Sequence, residues 1–277
     1  MATSLQAFFW SERIWLPAGV GWADLANSSD GQRYPEAREM VYPVVLGAGM
    51  LAGRLLLECL LFIPVAYHSA MFPDFVPGDR TLAQLIWSHF SGGFSRQTKI
   101  KKVLETAWRF WFCVVSLTMG AYVLHDKPWL WDVTECWRGY PRQHVDDGVW
   151  WYYQLEAAYY WSLLSSGLTD TRRKDFWLLI LQHVITSALF YFSWVANFVR
   201  VGTLVVLCLD VSDVLLEAAK LVRYSHLPPL GVNVVFAAFV ATWPVGRPHN
   251  QFAPCTPMYR PPSPPVRPAR QELPVKF

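Results

Sequence analysis

The chain has 277 residues, of which 53% are apolar and only 16% charged, with a formal net charge of +3. A soluble globular domain carries roughly 25% charged residues, and so small a positive excess is no footprint for nucleic acid, so none is expected as a partner. With fifteen Trp, twelve Tyr and seventeen Phe, and several apolar runs of about 18 residues or more, the composition predicts an all-α polytopic transmembrane bundle of about six spans. Cys59, Cys113, Cys136, Cys208 and Cys255 are odd in number and scattered. They show neither a disulfide framework nor a zinc spacing and are expected as small buried apolar residues.

Residues 1–40 are aromatic and mixed in charge, without the basic stretch and apolar core of a signal peptide. The first membrane helix, over 41–65, is therefore expected to serve as the targeting signal. It carries Arg54 and Glu58, four apart and able to pair on one helix face. A loop over 66–106 holds Arg80, Arg96, Lys99, Lys101 and Lys102. Further spans are predicted over 107–124, 148–166, 176–198 and 201–222, with a short apolar segment at 225–244 whose core is 229–244. The segment 245–277, with its RPPSPPVRP run, is expected to form no packed element.

Basic residues set the orientation. The 66–106 loop, the 167–175 loop with Arg172, Arg173 and Lys174, and the Lys220–Arg223 stretch alternate along the six-span order, and the positive-inside rule puts them in the cytosol. The N-terminus and the 125–147 loop then face the lumen. The sequon Asn27-Ser28-Ser29 agrees, because glycosylation of Asn27 requires the lumenal side. The 125–147 loop and the residues after it hold Trp129, Trp131, Trp137, Tyr140, Trp150 and Trp151. They read either as an interfacial aromatic belt or as a platform for a substrate.

The unusual segment is 172–220, apolar almost throughout yet carrying Gln182, His183, Asp210, Asp213 and Glu217. Polar and ionisable groups are expensive in hydrocarbon and face a bundle interior or a cavity. Asp210, Asp213 and Glu217 recur at i, i+3 and i+7, on one helix face, with Lys220 one turn further and placed to pair with Glu217. His183 lies roughly 10 Å and Asp213 roughly 13 Å from the cytosolic ends of their helices at 1.5 Å per residue. The two helices are antiparallel, so His183 and Asp213 are expected at similar depth, with Gln182, Thr186 and Ser187 adding hydrogen bonds. A buried His beside carboxylates is either a structural hydrogen-bonding residue or a general base. Histidines are too few and too scattered for a membrane di-iron centre, so no metal is expected.

At these residues the chain resembles the ceramide synthase family, the Lag group of TLC-domain membrane proteins. FFWSERIWLPAGVGWADL is similar to the family's lumenal N-terminal segment and KKVLETAWRFWF to the start of its TLC domain. HDKPWLWD, YPRQ, WWYYQLEAAYYWSLL, RRKDF and SDVLLEAAKL follow the Lag signature in order and spacing, placing the TLC core at 107–224. The resemblance implies an endoplasmic-reticulum membrane enzyme that joins a fatty acyl chain from acyl-CoA to the amine of a sphingoid base. It implies acyl-CoA as a co-substrate, no cofactor, and dimers with itself or with other synthases. His183 is then the expected base, Asp210 and Asp213 its charge partners, Thr186, Glu217 and Lys220 a supporting polar face, and Arg172, Arg173 and Lys174 a mouth for coenzyme A phosphates or plain membrane anchors.

The sequence departs from the family in four places. Gln182 and Leu209 stand where the family has histidines, and glutamine neither takes up a proton at ordinary pH nor readily carries an acyl group. The 66–106 loop is too short for the homeobox-like segment. The resemblance is expected to stop near Tyr224, leaving a C-terminally incomplete bundle such as a splice form, a gene-model error or a decayed copy would give. These departures support an alternative reading, a catalytically impaired relative that binds lipid or regulates active synthases by pairing with them.

Overall fold

The computed structural model describes residues 8, 10–17, 19–25, 33–69, 80–92, 99–167, 170, 175–225 and 229–246, and among them no strand occurs. Among the described residues, eight α-helices of six residues or more carry the fold: α1 (Tyr42–Leu57), α2 (Ile63–His68), α3 (Leu82–Phe90), α4 (Lys99–Leu124), α5 (Asp147–Ser166), α6 (Phe176–Val195), α7 (Val199–Tyr224) and α8 (Pro229–Gly246). A π-helical turn, Glu58–Phe62, joins α1 to α2, so that Ala37–His68 forms one helical rod of 32 residues. At 1.5 Å per residue this rod is about 48 Å long, more than the roughly 30 Å of bilayer hydrocarbon.

By length and apolar composition, Ala37–His68, Lys99–Leu124 and Phe176–Val195 suffice to cross a membrane. The predicted spans at 148–166, 201–222 and 229–244 are also helices, and of these α5 and α7 fall short of that measure. The reason in α5 is its Trp and Tyr content, and in α7 its three carboxylates. The stretch expected as a loop over 66–106 departs in two places: α4 begins at Lys99 rather than 107, and α3 lies within it, starting at a capping box in which Thr81 and Gln84 satisfy each other's backbone N–H groups.

The central helix is α5. It is buried on several sides, as a helix enclosed by others must be. Beside it α1 runs in the same direction, and the two approach closely at Gly47, where a Cβ would lie 2.8 Å from the Ala158 carbonyl oxygen and 3.1 Å from the Trp161 Cβ. α4 runs antiparallel to α5, with Phe112 stacked on Tyr159 at 3.7 Å between centroids. α6 packs along α5 through Phe190 and Trp194 against Tyr153. α7 packs along α4 and α8.

Both ends of the bundle are tied by buried polar contacts. At one end the guanidinium of Arg33 bridges Glu39 and Asp147 and lies 4.7 Å over the Trp150 ring, whose indole N–H donates to Glu39. Asn197 forms the turn between α6 and α7 with φ of 56°, a conformation that Asn tolerates better than most residues. Its amide donates to the carbonyls of Pro141 and Gln143, fastening that turn to the 125–147 loop. Part of this aromatic loop is packed rather than free. Trp129 is buried beneath Arg200, and Tyr140 stacks on Phe198 and donates to the Ala196 carbonyl, burial pushing its hydroxyl up to about 12. Trp131 is exposed, as a belt residue is.

At the other end Arg54, only 2% exposed, pairs with Glu58 at 2.8 Å, as their i, i+4 spacing predicts, and with Asp170 at 2.9 Å. Asp170 also meets Arg109 of α4 at 3.5 Å, and Glu58 meets His89 of α3 at 2.8 Å. One set of polar contacts thus joins α1, α3, α4 and the residue beyond α5. Removing one member of a buried pair leaves the other uncompensated, at about 3–5 kcal/mol. Arg54→Ala is therefore expected to lower the melting temperature in detergent sharply, whereas Arg38→Ala, in an exposed pair, leaves it nearly unchanged. Gly47→Val is expected to cost about 1–3 kcal/mol by forcing α1 from α5; an unchanged melting temperature would refute the close approach.

Candidate active site

Three helices bring four polar side chains together inside the bundle. Ser116 of α4 meets Asp210 of α7 at 2.8 Å and also meets Glu156 of α5. The Tyr152 hydroxyl donates to the same Asp210 oxygen at 3.3 Å. Glu156, Asp210, Ser116 and Tyr152 are all buried. The spacing explains how one helix contributes twice: Tyr152 and Glu156 are one turn apart on α5. Tyr152 reaches Asp210 by crossing α4 at Gly120, where a Cβ would stand 2.7 Å from the tyrosine oxygen.

The hydrogen inventory of this cluster is restrictive. A serine hydroxyl carries one hydrogen and donates to only one carboxyl oxygen, so its second contact is satisfied when the other carboxyl supplies a hydrogen. Ser116, Glu156 and Asp210 are all satisfied when the carboxyl pair holds one proton between them. The cluster is thus a place in the bundle interior where a proton can be held.

Further along α7, Asp213 is half-buried and within electrostatic range of Glu217, Lys220 and Arg109. Lys220 pairs with Glu217, the i, i+3 contact its spacing predicts. The face expected from the i, i+3, i+7 pattern is therefore real, and its members divide. Asp210 enters the Ser116 cluster, Glu217 joins Lys220, and Asp213 lies between.

His183 of α6 is half-buried, and its Nδ1 is enclosed without a hydrogen-bond partner. Its ring lies 6.3 Å from that of Tyr160 on α5, and Arg109 and Asp170 are within electrostatic range. It makes no direct hydrogen bond to Asp213 or Asp210. The expected adjacency is instead spanned by Tyr160, which adjoins His183 and lies within range of Glu156, Asp210 and Asp213. The physical reason is packing: α6 lies along α5 and α7 along α4, so α5 stands between the histidine and the carboxylates.

Thr186 donates to the Gln182 carbonyl within its own helix, and the Ser187 hydroxyl is buried without a partner. Gln182 and Leu209 are exposed. A cavity of about 340 Å³ opens between α5 and α6, lined among others by Met40, Trp161, Leu164, Val184 and Ser187, with His183 outside its lining. Its lining is mainly apolar, with the serine as a polar exception. No group of three or more His, Cys, Asp or Glu placed to hold a metal occurs among the described residues. Asn27, Arg172, Arg173 and Lys174 lie outside the described residues, as does 247–277.

Sequence reasoning missed Ser116, Tyr152, Glu156, Tyr160 and Arg109. One signal was present, since Glu156 is the single carboxylate of the 148–166 span, and an intramembrane carboxylate marks an interior face. The serine and the tyrosines carry no such signal.

A TLC-domain family profile, of the TRAM, LAG1 and CLN8 type, matches residues 102–251. It runs past Tyr224 and through α8, which corrects the expectation that the resemblance ends there. Among similar proteins are ceramide synthase hyl-1 of Caenorhabditis elegans, 38% identical over 86% of this chain and 62% of its own length, and human ceramide synthase 5, 36% identical over 88% and 70%. Mouse ceramide synthase 3 is 31% identical over 89% and 72%. The chain thus spans 62% to 72% of the length of these relatives. On a domain match over more than half its length and relatives along most of it, the chain belongs to the ceramide synthase family of TLC-domain membrane proteins.

Proposed function

We propose that this chain transfers a fatty acyl group from acyl-CoA to the amine of a sphingoid base, in the endoplasmic-reticulum membrane with its N-terminus lumenal. The observation that carries this reading is an interior polar site, Glu156, Ser116, Asp210 and Tyr152 with His183 across α5, in a chain whose relatives are ceramide synthases. The apolar cavity between α5 and α6 suits an alkyl chain.

The amine nitrogen attacks the thioester carbonyl, a C–N bond forms, and the C–S bond breaks. The amine gives up a proton and the departing thiolate takes one up. His183 Nδ1, buried and without a partner, is the base for the first of these steps. Asp170 is the carboxylate within electrostatic range of an imidazolium at His183, and Asp210 and Asp213, beyond Tyr160, act on it at longer range. Glu217 and Lys220 extend the polar face of α7, Thr186 stands one turn from His183 on α6, and Arg172, Arg173 and Lys174 supply cations for the coenzyme A phosphates. The reaction requires no cofactor beyond its co-substrate.

Gln182 and Leu209, in place of family histidines, favour a second reading: an impaired relative that pairs with active synthases. The two separate in microsomes from cells without their own synthases, given labelled sphingoid base and a panel of acyl-CoA thioesters. The chain is expected to form ceramide, and Asp213→Ala to lose at least about 100-fold, the scale of general-base catalysis. Product from the Gln182→His, Leu209→His double variant alone would establish the second reading; wild-type rates in Asp213→Ala would remove Asp213 from the mechanism. A glycosidase-sensitive mobility shift abolished by Asn27→Gln is expected, and its absence would contradict the lumenal N-terminus.

A further inference from the structure

The helix α3 packs on the π turn and α2, and its nine residues divide into three sectors when each advances by about 100°. Leu82, Leu85, Ile86 and His89 face the bundle. Leu85 and His89 are buried, and Leu82 and Ile86 pack with Ile63 and Leu104. Gln84 and Ser88 form a polar sector. Between the two lies a third sector of Ala83, Trp87 and Phe90, apolar but exposed, Trp87 by 69% and Phe90 by 57%.

A helix on a wet surface needs only the first two sectors. A third, aromatic sector roughly a third of a turn from each is the pattern of a helix lying at a membrane surface, one side on protein, one in the lipid boundary and one in water. Two further observations select the bilayer as occupant. α3 packs on the last residues of the Ala37–His68 rod, which is long and apolar enough to cross a membrane and exposes Leu60 and Val65 there. Exposed cations flank the helix in sequence, Arg80 just before it and Lys102 beyond it, and such residues favour anionic headgroups. His89 on Glu58, itself paired with Arg54, fixes which way the helix is rolled.

We infer that α3 is a membrane-surface helix, seated with Ala83, Trp87 and Phe90 in the headgroup layer of an anionic leaflet and latched to the rod by the His89–Glu58 contact. The inference is independent of the acyl-transfer reading, because its test needs no activity. The full chain, with its cysteines changed to serine and single cysteines at 84, 87 or 90, is nitroxide-labelled in nanodiscs with or without phosphatidylserine. Accessibility is compared between oxygen, which concentrates in lipid, and a water-soluble nickel chelate. The oxygen-to-nickel ratio is expected several-fold higher at 87 and 90 than at 84, and higher with phosphatidylserine than without. Equal ratios at all three sites would overturn the proposal, as would spin–spin broadening at 87, which marks a contact between copies. Equal ratios in the two lipids would overturn its anionic part. If the cysteine-free chain does not fold, quenching by brominated lipid decides: Trp87→Phe is expected to lower the quenched share of tryptophan emission, and an unchanged share overturns the assignment.

Discussion

A carboxyl group inside a membrane bundle is tolerable only when its oxygens are hydrogen-bonded or paired, and two of them, Glu156 and Asp210, meet here over one serine. Everything near the centre follows from that constraint. α4 must present Ser116 between α5 and α7, Gly120 must leave room for Tyr152, and Tyr152 must lend its hydroxyl to Asp210. The helices meet where their polar groups can satisfy one another, and the surrounding apolar contacts fill the remaining space.

The ends of the bundle obey the same rule with different chemistry. On the side where α1 starts, Arg33, Glu39, Trp150 and Asn197 bind the N-terminal segment and the 125–147 loop to α5 and to the α6–α7 turn. On the other side Arg54, Glu58, Asp170 and Arg109 form a continuous set of ion pairs, and His89 is hydrogen-bonded to Glu58. Arg109 and Asp170 are also the charges within range of His183. The structural charge network and the candidate base therefore share a boundary, and changes made in one are felt electrostatically in the other.

Much of this was legible in the sequence because it is local. Apolar runs located the predicted spans to within a few residues except at the start of α4, which begins at Lys99 rather than at 107, and i, i+3 and i, i+4 spacings found Glu217–Lys220 and Arg54–Glu58. The Thr81–Gln84 capping box was also a local signal for α3, in a stretch read only as a basic loop. What spacing does not carry is which helix lies against which. Depth alone put His183 opposite Asp213, whereas α5 intervenes and supplies Tyr160 and Glu156. Ser116 and Tyr152 become meaningful only once α4, α5 and α7 are in contact, since one hydroxyl on an apolar helix is unremarkable without its partners.

The central claim is that Ser116, Glu156 and Asp210 act as one hydrogen-bonded unit. The most direct test is a double-mutant cycle on thermal stability in detergent with Ser116→Ala and Asp210→Asn, singly and together. Residues in one buried network couple by about 0.5–3 kcal/mol, so the double variant is expected to lose clearly less than the sum of the single losses. Additive losses would contradict the account and mean that the serine and the aspartate are buried near each other without depending on each other.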